Sequence, residues 1–86
     1  MNFIFHKHFQ KKLKKCSSKE REQFKIRLGF FLQDKDNPTL NNHGLHGKYA
    51  GAYSINVTGD LRAIYKLQAD DIALFVDIDN HPNLYK

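Results

Sequence analysis

Two histidines of this 86-residue chain, His43 and His81, stand where an imidazole could transfer protons. Histidine suits that chemistry because an unperturbed imidazole titrates close to physiological pH. His43 precedes Gly44, where the backbone turns freely, and it is a candidate general base. His81 follows the last apolar segment, at a predicted strand end of the kind from which functional residues project. By position alone, the simpler interpretation of His81 is an ordinary exposed loop histidine.

Arg62 and Asp60 add a cation and a second proton acceptor close together in the chain. Arg62 alternates with apolar residues in a predicted strand, where a charge either pairs with an acid such as Asp77 or faces a phosphate. Arginine suits the second role because its planar guanidinium grips phosphate and stays charged. Asp60 could orient His43 or act as a base, although Thr-Gly-Asp is also ordinary turn chemistry.

The elements that must position these residues begin with two helices. Apolar residues recur at spacings of four, four and three near the N-terminus, which predicts one apolar helix face. These residues are Phe5, Phe9, Leu13 and Cys16. A capping box of Ser17 and Glu20 predicts a second helix, roughly Ser18 to Gln33. Ile26 and Phe30 lie off its main apolar stripe, so either strands or a partner chain cover that surface.

The second half of the chain has the periodicity of strands. Alternation over residues 49–57 places Ile55 and Val57 on one face and Ser54 and Asn56 on the other. Further strands are predicted over Leu61 to Leu67, Ile72 to Ile78 and Asn2 to Phe5. We therefore predict one α+β domain, residues 1–86, in the order β-α-α-β-β-β(-β). Its two N-terminal helices pack on one face of a small twisted antiparallel sheet.

The charge of the chain is concentrated near its N-terminus. Residues 1–35 hold ten Lys/Arg and three acids, a charge of +7, whereas residues 36–86 carry −2 and the whole chain +5. Such asymmetry favours docking on a polyanion, although a solvated helix face or an acidic protein partner also fits it. The candidate RNA-binding residues are Lys7, Lys11, Lys12, Lys14 and Lys15.

Membrane, disulfide and metal chemistry have little support in the sequence. The apolar run at the N-terminus is far shorter than the roughly 20 residues of a membrane span, so a soluble cytoplasmic protein is expected. The single cysteine, Cys16, permits no intrachain disulfide. His6 and His8 are two residues apart, whereas metal ligands on a helix are three or four apart, so no metal site is predicted.

Three motifs follow one another in the second half of the chain. They are HGLHGKYAG at 43–51, SINVTGDLRAIYK at 54–66 and HPNLY at 81–85. In order and spacing they resemble the sheet entry, the central hairpin and the C-terminal H-x-x-L-[FY] of YafQ-like toxins, a branch of the RelE/ParE superfamily. The resemblance implies a ribosome-dependent, metal-independent and cofactor-free endoribonuclease that cleaves mRNA. It also implies a cognate antitoxin, which we expect to be acidic and partly disordered.

Carried over residue by residue, the resemblance assigns catalytic roles. The positions that match the functional residues of the family are His43, Asn56, Asp60, His81 and Tyr85. His81 becomes the general acid and Arg62 the group that stabilises the transition state, while Tyr85 either stacks on a base or packs in the core. Two departures weaken the match. Asn56 replaces a proton-transferring histidine, and Leu61 replaces an aromatic residue.

Two alternative functions remain open. A gyrase-inhibiting toxin of the ParE type would share the fold, but such proteins generally lack the histidines found here. A small basic RNA-binding module without catalysis is favoured by Asn56, because asparagine does not transfer protons.

Overall fold

The computed structural model describes residues 1–84, which form three helices and a five-stranded mixed sheet. The strands are β1 (Asn2–Phe5), β2 (His43–Gly44), β3 (Ala52–Asn56), β4 (Leu61–Ala69) and β5 (Ile72–Asn80). The helices are α1 (Lys7–Lys15), α2 (Ser18–Gln33) and α3 (His81–Leu84), with short 3-10 turns at Pro38–Leu40 and Gly47–Tyr49. The predicted order of elements and the α+β class are confirmed.

The strands lie in the order β1-β5-β4-β3-β2. The predicted antiparallel meander is confirmed for β2 to β5. The prediction of a wholly antiparallel sheet is wrong at one edge, where β1 pairs in parallel with β5 from Asn2↔Ile72 to Phe5↔Phe75. The physical reason is that β1 leads into two helices rather than into a hairpin, so no tight turn forces it to run antiparallel to its neighbour.

Local hydrogen bonds set the limits of α2 where the sequence predicts them. The Ser17 hydroxyl accepts from the Glu20 N–H at 3.1 Å, and the Glu20 carboxylate accepts from the Ser17 N–H at 2.9 Å. Of the two residues that lie off the main apolar stripe of α2, Phe30 packs against the core, whereas Ile26 stays 44% exposed.

Within residues 1–84, no helix is long and apolar enough to cross a membrane.

Aromatic side chains fill the space between the helices and the sheet. Phe75 of β5 lies at the centre, with its ring centroid 5.6 Å from that of Phe9 on α1 and 5.7 Å from that of Phe24 on α2. Burial of such rings is the main stabilising contribution that a domain of this size has available. The fully or almost fully buried aromatic residues are Phe9, Phe24, Phe31, Tyr65 and Phe75.

A second, smaller cluster covers the opposite face of the sheet. Its buried members are Leu45, Ala52, Ile64 and Leu84. Because Leu84 is 1% exposed, this cluster anchors the short α3 helix to the sheet. The anchor also fixes the position of His81, a predicted site residue, since α3 begins there.

The start of β3 differs from the prediction. The alternation predicts a strand from residue 49, but residues 47–49 form a 3-10 turn and β3 begins at Ala52. Gly51 has φ +90°, a conformation that favours glycine and breaks the extended chain. Beyond this point the predicted faces are confirmed, with Ile55 and Val57 in the helix-side core and Ser54 and Asn56 on the other side.

Candidate functional site

The β3–β4 turn forms one wall of the candidate site. The Thr58 hydroxyl accepts from the Leu61 N–H at 3.0 Å and from the Asp60 N–H at 3.3 Å, which closes the turn. The Asp60 side chain is exposed, and its backbone carbonyl accepts from the His81 N–H at 2.8 Å. Residues far apart in the sequence are therefore joined by a backbone hydrogen bond.

His81 does not lie in a loop as the sequence predicts. β5 continues to Asn80, and His81 is the first residue of α3. Two local features explain the difference. Asp79 accepts from the Asn83 side chain at 3.0 Å, and Leu84 is buried against the sheet. His81 itself remains exposed, at the end of β5 and beside the β3–β4 turn.

Arg62 lies in the middle of the site, on β4. It is directly opposite Asn56 on β3 and Asp79 on β5. Its Nη1 donates to the carbonyls of Thr58, Gly59 and Leu61 at 3.0–3.3 Å, which fixes the half-buried side chain against the turn. This arrangement leaves Nε and Nη2 without a hydrogen-bond partner inside the described residues.

The predicted alternative for Arg62, an ion pair with Asp77, is not found within residues 1–84. Asp77 binds Lys12 instead, with Nζ and Oδ1 2.7 Å apart, and lies 3.5 Å from His8 Nε2. Lys12 also binds Asp79 at 2.7 Å. The hydrogen bonds to the turn carbonyls therefore account for the position of the Arg62 side chain. Its charge on the sheet surface is not neutralised by any carboxylate of residues 1–84.

His43 is on the same face of the sheet but at some distance from His81. It is directly opposite Ser54, two residues along β3 from Asn56, and directly opposite residues project from the same face. β2 and β5 are three strand spacings, or about 14 Å, apart, and His81 is also four residues further along than Asp77, the β5 residue in line with His43. The structure thus groups Asp60, Arg62 and His81 and places His43 across the sheet from them.

A backbone carbonyl fixes the tautomer of His43. Its Nδ1 lies 2.7 Å from the carbonyl oxygen of Asn41, a residue in the left-handed conformation at φ +46°. A carbonyl oxygen only accepts, so Nδ1 must carry the hydrogen. In the neutral imidazole the lone pair is then on Nε2, which is the state that a general base requires.

Two buried polar atoms on this face have no partner among the described residues. They are the Ser54 hydroxyl and Oδ1 of Asn56. Ser54 is fully buried, and an unpaired buried polar group typically costs about 1–3 kcal/mol. Sequence reasoning places Ser54 on the polar face of β3 and gives it no role. The sequence offers one indication of a role for Ser54. It alternates with Ile55 and Val57 along the strand, and it lies two residues before Asn56, a position matched to the functional residues of the family.

The five predicted RNA-binding lysines fall into two groups. Lys7, Lys11, Lys14 and Lys15 are exposed on α1. Lys12 is half-buried and bound to two carboxylates, as described above. Desolvation lowers its pKa, but the hydrogen bonds to Asp77 and Asp79 outweigh that effect and raise the pKa overall.

The hydrogen bond from Lys12 is also the main reason that the pKa of Asp79 falls from 3.8 to about 2. Desolvation opposes this shift, and the bonds from Asn83 and Asn80 add to it. A cleft of about 190 Å³ runs from this ion pair towards the α1–α2 turn, and its lining includes Lys15, Leu61 and Asn80. The cleft links the basic helix to the end of the sheet that carries Arg62.

The remaining predicted site residue, Tyr85, lies outside the described residues. Within residues 1–84, no three histidine, cysteine or acidic side chains come together in a way that could hold a metal ion.

Comparison with known proteins defines the class of fold. No family model matches the chain, and no curated protein matches it at a significant level. Solved structures do match over nearly its whole length, and they are bacterial toxins of the YafQ and YoeB/ParE kinds. The chain therefore has the RelE/ParE toxin fold, and the resemblance predicted from its motifs is confirmed for the fold.

Among these structures, YafQ from E. coli superposes with a TM-score of 0.81 at 18% identity, covering 99% of this chain and 98% of that one. A chain of the E. coli DinJ–YafQ toxin–antitoxin complex gives a TM-score of 0.76 at 21% identity, with 99% and 97% covered. A YoeB/ParE toxin from Agrobacterium tumefaciens gives 0.76 at 13% identity, with 94% and 99% covered. Two of these three matches are thus to YafQ or its complex, with TM-scores of 0.81 and 0.76.

Proposed function

We propose that this protein is the toxin of a type II toxin–antitoxin system and a ribosome-dependent, metal-independent endoribonuclease that cleaves mRNA in the cytoplasm. One observation carries the proposal. On a fold shared with YafQ, the His81 N–H binds the Asp60 carbonyl at 2.8 Å beside Arg62, whose charge has no acidic partner in residues 1–84. A histidine, an aspartate and an arginine with no acidic partner in residues 1–84 thus lie together at one end of the sheet.

The reaction is an internal transesterification. The 2′-oxygen of a ribose forms a bond to phosphorus while the bond to the 5′-oxygen breaks, which yields a 2′,3′-cyclic phosphate and a free 5′-hydroxyl. His43 Nε2 accepts the 2′-hydroxyl proton, and His81 donates a proton to the departing 5′-oxygen. Arg62 stabilises the charge that develops on the phosphorane oxygens.

His43 and His81 lie across the sheet from each other. β2 and β5 are about 14 Å apart, and His81 is four residues further along than Asp77, the β5 residue in line with His43. The scheme therefore requires the RNA to extend across the sheet face between the two histidines. Asp60 has a positioning role through the carbonyl that binds the His81 N–H, and its carboxylate is the alternative base.

The four exposed lysines of α1 supply the electrostatic attraction for RNA. Lys7, Lys11, Lys14 and Lys15 are exposed on the helix, and the cleft beside Lys15 extends to Asp79 and Asn80 at the end of β5. Phosphate contacts of this kind position a nucleic acid without reading its sequence. Lys12 does not belong to this contact surface, because both of its ion pairs are internal.

An acidic, partly disordered antitoxin is the proposed protein partner. Structures with this fold include complexes named DinJ–YafQ and YoeB–YefM. In the present chain, Phe3 and Ile4 on β1 and Ile26 on α2 are exposed apolar residues, in addition to the exposed basic residues of α1. An acidic segment that folds on binding would complement both the charge and the apolar surface.

The test is cleavage of mRNA on translating ribosomes by the purified protein, with 5′-end mapping of the products. His81→Ala should lower the cleavage rate by about 10²–10⁴, the usual effect of losing general acid assistance. His46→Ala, an exposed histidine outside the site, is the matched control. Cleavage at the parental rate by the His81 variant, with its fold verified by circular dichroism, would show that the acid role is wrong.

A second candidate function is RNA binding without catalysis. Asn56 favours it, because the amide occupies a position where YafQ-like toxins use a histidine for proton transfer. The same experiment distinguishes the candidates. Ribosome binding with intact mRNA indicates a binding module, whereas inhibition of gyrase with no effect on ribosomes indicates a ParE-type toxin.

A further inference from the structure

Arg62 and Asp79 face each other across β4 and β5 without forming an ion pair. They are directly opposite in the register, where Cβ atoms are about 4.5–5.5 Å apart and opposite charges ordinarily attract. Yet in residues 1–84 no carboxylate lies within ion-pairing distance of the Arg62 guanidinium. Its Nη1 binds turn carbonyls instead.

The reason lies on α1. Lys12 Nζ binds Asp79 Oδ2 at 2.7 Å, and Asp79 Oδ1 accepts from the Asn80 N–H at 2.7 Å and the Asn83 amide at 3.0 Å. Both oxygens of Asp79 are therefore occupied. The same ammonium also binds Asp77, which is the only other acid on β5.

We propose that Lys12 holds Asp79 and Asp77 away from Arg62, so that the guanidinium keeps its charge for a phosphate group of RNA. Lys12 is then a positioning residue whose own charge does not contact the nucleic acid. The phosphate ligand rests on the function proposed above, whereas the sequestration of Asp79 is a property of the fold.

Removal of Lys12 would reveal that Lys12 and Arg62 compete for Asp79. Without the ammonium, Asp79 can bind Arg62, its directly opposite residue on β4, and a guanidinium binds a carboxylate through two parallel hydrogen bonds. These bonds use the donors that a phosphate needs. Lys12→Gln should therefore weaken RNA binding more than the loss of one distant positive charge does.

A double-mutant cycle measures this effect with a short 2′-O-methyl RNA oligonucleotide, which binds but is not cleaved. Lys12→Gln should weaken binding about tenfold, and adding Asp79→Asn should restore most of it. Asp79→Asn in the parental protein should change binding less than about twofold, because Lys12 already neutralises that carboxylate. Equal effects of Asp79→Asn in both backgrounds would mean ordinary long-range electrostatics and would overturn the proposal.

The matched control is Lys25→Gln, which removes one exposed positive charge from α2. Its effect on binding should be smaller than that of Lys12→Gln and should not be reversed by Asp79→Asn. If the two lysine variants behave alike, Lys12 contributes only net charge and the proposal is wrong.

A crystal structure of the Lys12→Gln variant separates this inference from the proposed function. An Arg62–Asp79 ion pair shorter than about 4 Å supports sequestration even if the parental protein neither binds nor cleaves RNA. Conversely, a parental protein that cleaves mRNA, together with a variant in which Arg62 stays on the turn carbonyls, retains the function and refutes sequestration.

Discussion

Replacing Asp79 by asparagine tests how strongly the ion pair with Lys12 stabilises the fold. The pKa of Asp79 is lowered from 3.8 to about 2, chiefly by the hydrogen bond from Lys12. A shift of that size corresponds to an upper limit of about 2 kcal/mol. Because the Asp79 side chain is 29% exposed, solvent screening reduces the expected contribution to about 1 kcal/mol. In a domain of this size, that change lowers Tm by about 4–8 °C at neutral pH.

The pH dependence has a definite sign. The folded-state pKa of Asp79 lies below its unfolded value, so the stabilisation is fully present above about pH 4 and is lost as the pH falls towards 2. The assay is urea unfolding of the parental protein and Asp79→Asn at pH 7 and near pH 2. Asp70→Asn is the control, since Asp70 is exposed and has no ion pair among the described residues. A difference in unfolding free energy that is the same at both pH values would refute the reasoning.

Three further predictions concern RNA binding, α2 and α3. Replacing Lys7 and Lys11 together by glutamine should flatten the plot of log binding constant for the ribosome against log salt concentration. The slope should change by roughly 0.7–0.9 for each phosphate that is no longer neutralised. An unchanged slope would mean that these lysines form only a solvated face. Ser17→Ala should cost about 1 kcal/mol of unfolding free energy by removing the α2 cap, and Ser18→Ala, one residue later, is the control. Leu84→Ala should cost about 2–5 kcal/mol because this side chain is 1% exposed; a loss below about 1 kcal/mol in urea unfolding would show that α3 is not anchored as described.

Features that depend on neighbouring residues were predictable from the sequence. The limits of α2 follow from a capping box closed by hydrogen bonds between residues three apart. The faces of β3 follow from strict alternation, which the pleat of a strand imposes. The same reasoning failed where one residue changed the backbone, since Gly51 at φ +90° delayed the start of β3.

The site was predicted in part. The sequence singles out Asp60, Arg62 and His81, and the structure brings them to one end of the sheet. It does not predict that His81 begins a helix, because α3 depends on burial of Leu84 against the opposite face. Catalytic roles for these residues stay predictions, as does the role of Tyr85.

By itself, then, the sequence determined the two N-terminal helices, the meander and the basic character of α1, since helix caps, hydrophobic periodicity and charge are local properties. Only the tertiary structure decided which charges remain available. Lys12 reads in the sequence as one of five similar lysines, yet it binds acids 65 and 67 positions away. The parallel pairing of β1 with β5 is likewise set by contacts between the two ends of the chain. Pairings of this length depend on how the sheet and helices pack together, which no local pattern encodes.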